Sequence, residues 1–309
     1  MIERTPVLNF LTHLILVVGL LLMLIPIWIA FVAATHDLTT VNTAPVEMWP
    51  GPHLFENARE AWVRSDFGQK FVNSFIVATG VVIGKITIAA ITAFSIVFFN
   101  YRGRMVIFWI VFITLMLPLE VRIVPTYAVA ANALLPFQKV LDVTGLTALA
   151  QTLAGIEISL EWNMLNTYTG LILPLVATAT GTFLYRQFFL TIPDELVEAA
   201  RMDGAGPLRF LWDVPIPLSR TNMAALATIM FVYAWNQYLW PLLIVTDKAN
   251  YGMVVVELGD LVPDSLTTGG GVPNWHLAMV ATLMVMIPPT LVVIFMQRWF
   301  VRGLVNTDK

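Results

Sequence analysis

Apolar residues in this chain gather into long, nearly unbroken stretches instead of alternating with polar ones. Residues 14–34 carry no charge, and residues 71–99 are interrupted only by Lys85. A third stretch starts near Met105, runs to about Leu119 and continues through Glu120 and Arg122 toward Leu135. Residues 169–190, 221–246 and 277–297 complete the set. A helix crossing a bilayer core needs roughly 20 apolar residues. The pattern therefore predicts an all-α, polytopic membrane protein with six transmembrane helices. The first stretch is too long for a signal-peptide core and has no small-residue cleavage site, which predicts a retained helix.

An even number of spans puts both termini on one side. Basic residues choose the cytoplasm: Arg4, Arg102, Arg104, Arg186, Arg201, Arg209, Arg220, Arg298, Arg302 and Lys309 fall there, against Arg59, Arg64, Lys70, Lys139 and Lys248 outside. Trp49, Trp62, Trp162, Tyr168, Tyr251 and Trp275 flank spans on the outer side, where amphipathic rings settle. The outer segment 136–166 is long, and residues 147–156 within it read as a short surface helix.

Composition narrows the class. The chain has 309 residues, 58% hydrophobic and 12% charged, with a net charge of −3. A soluble domain carries about 25% charged residues. The mild negative charge gives no reason to expect a nucleic-acid partner. There is no cysteine, which excludes disulfides and thiolate metal sites, and His13, His36, His53 and His276 lack metal-ligand spacing.

One polar island interrupts the apolar pattern on the cytoplasmic side, from Pro193 to Ala205 within a loop of residues 191–220. Pro193 is placed to open a helix, Asp194 and Glu195 suit its first turn, and Gly204 can stop it in a left-handed cap. Leu196, Ala199 and Ala200 recur at i, i+3 and i+4, which predicts one small apolar face. Pro207 can open a second helix over 208–213, ended by Pro215 and Pro217. The arrangement reads as a docking surface or as an ordinary connection with local helix.

A resemblance decides between these. Glu198-Ala199-Ala200, three residues, Gly204, nine residues and Val214-Pro215-Ile216-Pro217 is similar to the EAA loop of ABC importer permease subunits. Val214 and Ile216 are mild departures from that pattern. The resemblance implies that the loop carries a coupling helix inserting into the ATP-hydrolysing subunit, with Glu198, Ala199, Ala200, Asp203 and Gly204 making the contact. The segment Leu117-Pro118-Leu119-Glu120-Val121-Arg122-Ile123-Val124-Pro125-Thr126-Tyr127 resembles the third-helix motif of carbohydrate-uptake permeases related to the maltose system. Trp235-Asn236-Gln237-Tyr238-Leu239-Trp240-Pro241-Leu242 resembles their fifth-helix motif, with Gln237 where many members carry an acid. With Gly84-Lys85-Ile86-Thr87 and residues 297–305, the set is most similar to permeases that import sn-glycerol-3-phosphate. It covers nearly the whole chain and is poorest around residues 136–166.

The family implies a single permease domain, residues 1–309 with a core of about 70–300, in the bacterial inner membrane. It implies as partners a second permease subunit, two copies of an ATP-binding subunit, a periplasmic substrate-binding protein and the phospholipid bilayer. No cofactor is expected in this chain, and ATP and Mg belong to the partner ATPase. That agrees with the absence of a Gly-x-x-x-x-Gly-Lys-Ser/Thr phosphate loop.

Lys85 lies deep within its span and Arg122 toward the outer end of its own. Intramembrane charges usually face a bundle interior and often mark a substrate path. With Trp235, Asn236 and neutral Gln237 they outline a path suited to a phosphate, which Arg grips through paired donors and Lys as a point charge. The same residues are also open to a structural reading: Lys85 holding helices together, Arg122 reaching headgroups, and Trp235 to Gln237 packing between helices. A membrane enzyme would need acids, bases or metal ligands clustered at one depth. An ion-coupled carrier would need buried acids, and Glu120 is the acid placed within a span. A permease for a neutral sugar or oligosaccharide is the remaining alternative.

Overall fold

The protein is described by a computed structural model covering residues 6–45, 47–114, 119–176, 179–261 and 272–305. Arg4, Leu117, Pro118 and Lys309, used in the sequence reading, lie outside these. Among the described residues all regular structure is helical. In chain order the helices are α1 (Pro6–Ala34), α2 (Leu38–Val41), α3 (Leu54–Arg64), α4 (Phe67–Phe98), α5 (Arg104–Thr114) and α6 (Leu119–Ala131). There follow α7 (Leu135–Val143), α8 (Leu146–Ala154), α9 (Tyr168–Val176), α10 (Ala179–Phe189), α11 (Asp194–Met202) and α12 (Pro207–Asp213). The last are α13 (Pro215–Leu218), α14 (Arg220–Trp235), α15 (Leu239–Ile244), α16 (Lys248–Tyr251), α17 (Val254–Leu261) and α18 (Trp275–Val305).

Among the described residues three helices are long and apolar enough to cross a membrane: Val7–Ala34, Phe67–Phe98 and Trp275–Arg298, with mean hydropathies of 3.0, 2.2 and 2.3. The other three apolar stretches are each divided between two helices. α9 and α10 are inclined at 46° to each other. The fifth stretch divides between α14 and α15, with Asn236 as the C-cap of α14. In the third, α5 and α6 lie on either side of residues 115–118, which are outside the described ones, and α6 ends earlier than the sequence predicts. α6 stops at Ala131, where the Asn132 side chain accepts from Leu134 N at 3.0 Å and turns the chain, so Leu135 begins α7 instead of extending the span.

The chain divides into two compact units. The first comprises Met1–Gly68 and Glu257–Ile287. Its α1 is almost wholly exposed and apolar. The turn after α1 is held to α3 by Asn57, whose buried amide donates to Ala34 O and His36 O at 2.9 and 2.8 Å. Asp37 caps α2 and accepts from Thr39 Oγ1 and Thr40 N, bonds that hold its carboxyl well below the usual carboxylate range.

The second unit comprises Gln69–Val256 and Pro288–Lys309. Glycines let its helices approach closely. A β-carbon on Gly80 would come 2.6 Å from Ile172 Cδ1, one on Gly84 2.8 Å from Val176 Cγ2, and one on Gly181 2.7 Å from Ala89 Cβ. Small residues at such faces are the usual means of membrane-helix packing. α10 packs on α5 and α14, and α15 on α6 and α9. Toward the end of α4, Ala89, Ala90, Ala93 and Phe94 join Tyr185, Phe189, Phe210, Leu211, Leu226 and Met230 in one apolar cluster.

At the opposite end of α4, Asn73 is fully buried. Its Oδ1 accepts from Tyr168 Oη at 2.7 Å and Gln69 Nε2 at 3.0 Å, and its Nδ2 donates to Asn250 O and Gly252 O at 2.9 and 3.0 Å. The segment after α6 is more helical than the sequence predicts. α8 takes up the expected surface helix, but α7 is additional, and the Gln138 side chain ties it to the returning chain through Ile158 O and Leu160 N.

Candidate functional site

The polar island folds as its local signals dictate. Pro193 is extended (φ −62, ψ 141) and stands just before the helix as its N-cap, so Asp194 and Glu195 occupy the first turn of α11. At the other end Gly204 has φ +70. Gly204 N donates to Arg201 O at 3.0 Å and Ala205 N to Ala200 O at 2.9 Å. This pair of bonds satisfies the last carbonyls of the helix and needs a left-handed residue between them. Pro207 is the first residue of α12. α12 ends at Asp213 as predicted, and Pro215 then opens a further short helix, α13.

The predicted apolar face of α11 is split. Ala200 and Val197 turn inward and pack against the apolar cluster, whereas Leu196 and Ala199 stay exposed. At about 100° per residue, a stripe through 197 and 200 leaves 196 and 199 on its edge or beyond. Glu198, Asp203 and Gly204 are exposed with Ala199. Met202, Leu208 and Trp212 extend this surface and are 83, 72 and 67% exposed. Sequence reasoning passed over these three because single apolar residues in a short polar loop carry no periodicity. Behind the loop, Phe94, Phe98, Val197, Arg201 and Phe210 line a cavity of about 400 Å³. α11 thus packs on the apolar cluster through one face and leaves the other exposed.

The second constellation lies within the helices. Lys85, on α4, is 2% exposed, and its nearer helix end is about 20 Å away at 1.5 Å per residue. Its Nζ stands 4.7 Å from the centroid of the Tyr233 ring on α14. Arg122, on α6, carries the same charge and is half-buried. The Arg122 Nε is buried without a hydrogen-bond partner. Among the described residues neither cation has a carboxylate partner. A buried charge is costly unless paired and hydrogen-bonded, and for Lys85 the printed contact is the face of an aromatic ring instead of a carboxylate. Gly84 precedes Lys85 and brings α4 close against Val176 of α9.

The remaining predicted path residues divide. Trp235 is 1% exposed, stacked on Phe231 at 5.8 Å and edge-on to Phe71 at 5.9 Å. That enclosure leaves it no surface for a solute within this chain, and it locks α14 to α4. Asn236 is exposed at the end of α14. Gln237 donates from Nε2 to Tyr233 O at 3.2 Å, which steadies the turn carrying Tyr233. Tyr233 itself was missed in the sequence, because a tyrosine in an apolar span reads as packing until its neighbour is known.

Residues 85–306 match the family described as the binding-protein-dependent transport system inner membrane component. Over 315 aligned residues, covering 100% of both chains, the protein is 44% identical to the sn-glycerol-3-phosphate transport system permease protein UgpE of Yersinia pestis bv. Antiqua (strain Antiqua). It is 45% identical, with the same coverage, to the protein of that name from Escherichia coli (strain K12). Among solved structures it is similar to a bacterial ABC transporter involved in the import of the acidic polysaccharide alginate, with a TM-score of 0.70 and 20% identity over 97% of this chain and 99% of that one. At that identity the likeness speaks for the fold.

Proposed function

The chain belongs to the family of binding-protein-dependent transport system inner membrane components, and from that premise we propose that it is a permease subunit of an ATP-driven importer for sn-glycerol-3-phosphate or related glycerophosphodiesters. It is a transport subunit and not an enzyme, and it works in a membrane with ATP-hydrolysing, substrate-binding and second permease partners. The observation that carries the substrate is Lys85, buried in α4 without a carboxylate partner among the described residues, together with half-buried Arg122, whose Nε is enclosed without a hydrogen-bond partner. Full-length similarity to permeases named for sn-glycerol-3-phosphate transport supports the same reading.

In this proposal six spans cross the inner membrane with both termini in the cytoplasm. α1, α4 and α18 are single spans, and α5–α6, α9–α10 and α14–α15 are divided ones. α11 is the coupling helix, contacting one of two ATP-binding subunits through Glu198, Ala199, Asp203 and Gly204, with Ala200 seating it on the membrane body. ATP and Mg are held by those subunits. A loaded periplasmic binding protein docks outside, and closure of the ATPase dimer moves the coupling helices and opens the path outward. Such a switch requires each ligand to contact the two states differently. Lys85 and Arg122 receive the phosphate, Asn236 and Gln237 stand at the outer end of α14, and Trp235 holds the wall behind them.

The test is binding-protein-dependent uptake by the complete reconstituted complex, with sn-glycerol-3-phosphate and maltose offered to the same vesicles. ATP-dependent phosphate-ester uptake that is lost in Lys85→Met and Arg122→Met is the expected result. Maltose uptake without phosphate-ester uptake would overturn the substrate and the roles of both cations.

A further inference from the structure

We infer that Tyr233 is the positioning residue of the Lys85–Arg122 site, holding the lysine ammonium against its ring face so that the other N–H donors meet an arriving phosphate; this rests on the anion-site reading above. A lysine head rides on a flexible four-carbon stem, so something must hold it if it is to meet an anion at a defined place. Among the described residues no carboxylate does so. The contact that does is the Tyr233 ring, 4.7 Å from Nζ.

The choice of an aromatic face has a chemical consequence. A carboxylate in the same place would neutralise the ammonium and compete with the phosphate for it. A ring face attracts a cation through its quadrupole and leaves the charge intact. It also covers only one side of the ammonium, so donors on the far side stay free. The site is thus organised before the anion arrives, which lowers the cost of binding.

The position of Tyr233 fits this task. Phe231 and Trp235, two residues to either side, are committed to rings on α4: Phe231 lies 6.0 Å from Phe75, and Trp235 5.9 Å from Phe71. Residues two apart on a helix do not share a face. Tyr233 therefore lies on a different face of α14 from these two rings, the face that meets Lys85.

The experiment measures substrate transported per ATP hydrolysed by the complete reconstituted complex, driven by loaded binding protein with sn-glycerol-3-phosphate. Tyr233→Phe keeps the ring and is expected within about twofold of wild type. Tyr233→Leu and Tyr233→Met remove the ring, and both are expected to lower the ratio about five- to tenfold while ATP hydrolysis stays within about twofold. A wild-type ratio in Tyr233→Met overturns the inference. So does an equal loss of transport and ATP hydrolysis, which marks a packing role. Lys85→Met separates the two levels. If it transports normally, the anion-site reading itself fails. If it is impaired while the Tyr233 variants are normal, only the role of Tyr233 falls.

Discussion

Gly84 meets Val176 so closely that a β-carbon on the glycine would lie 2.8 Å from Val176 Cγ2. The next residue on α4 is Lys85. A valine branches at Cβ and has little freedom to move aside. Gly84→Ala is therefore expected to lower the stability of the purified complex by about 1–3 kcal/mol and to reduce phosphate-ester uptake, read by thermal unfolding in detergent and by vesicle uptake. Val176→Ala in the same chain should recover part of the stability. If the double variant is no better than Gly84→Ala, the contact is not the cause.

Gly204 presents the opposite case. A β-carbon there would meet nothing within 4 Å, yet its φ is +70. Substitution is limited by the backbone alone, at about 1–2 kcal/mol for a left-handed non-glycine residue. Asparagine, which tolerates that region, should retain most ATP-coupled uptake, alanine less, and valine least. An order that follows side-chain size without regard to backbone preference would contradict the turn described here.

Ala199 is exposed, whereas its neighbour Ala200 is half-buried against the apolar cluster. Ala200→Leu should push against Val197 and Phe210 and lower thermal stability of the isolated subunit pair. Ala199→Leu should leave that stability within about 0.5 kcal/mol while weakening association with the ATP-binding subunit. Co-purification of the ATPase with each variant distinguishes them. Reversed results would place the wrong face against the partner.

Asn73 serves four hydrogen bonds from one buried side chain. Asn73→Ala leaves the Asn250 and Gly252 carbonyls without their amide donor, which argues for a loss of about 2–4 kcal/mol. Tyr168→Phe removes a single bond to the same oxygen and should cost about 1 kcal/mol. Thermal unfolding of both variants tests the ranking, and a larger loss for Tyr168→Phe would refute it.

Much of the site was legible where its causes are local. Pro193, Gly204 and Pro207 act on the backbone within a few residues, so α11, its left-handed stop and the start of α12 follow from their spacing. Lys85 and Arg122 announce themselves as charges in apolar runs. The pair Gly80 and Gly84, four apart, was a readable sign of close helix packing that passed unnoticed. α7 was missed because its apolar positions follow directly on those of α6, and only the turn at Asn132 separates them.

By itself the sequence determined the solvent, the helical class and the polar loop, because hydrophobic length and turn chemistry are properties of neighbouring residues. Tertiary structure alone decided which of two adjacent alanines faces the membrane body and where α14 gives way to α15. It also decided that the cation of α4 lies against a ring from α14. The reason is physical. A side chain's direction is set by the helix it belongs to, but its partner is set by which other helix the packing of small residues and aromatic rings brings within a few ångströms.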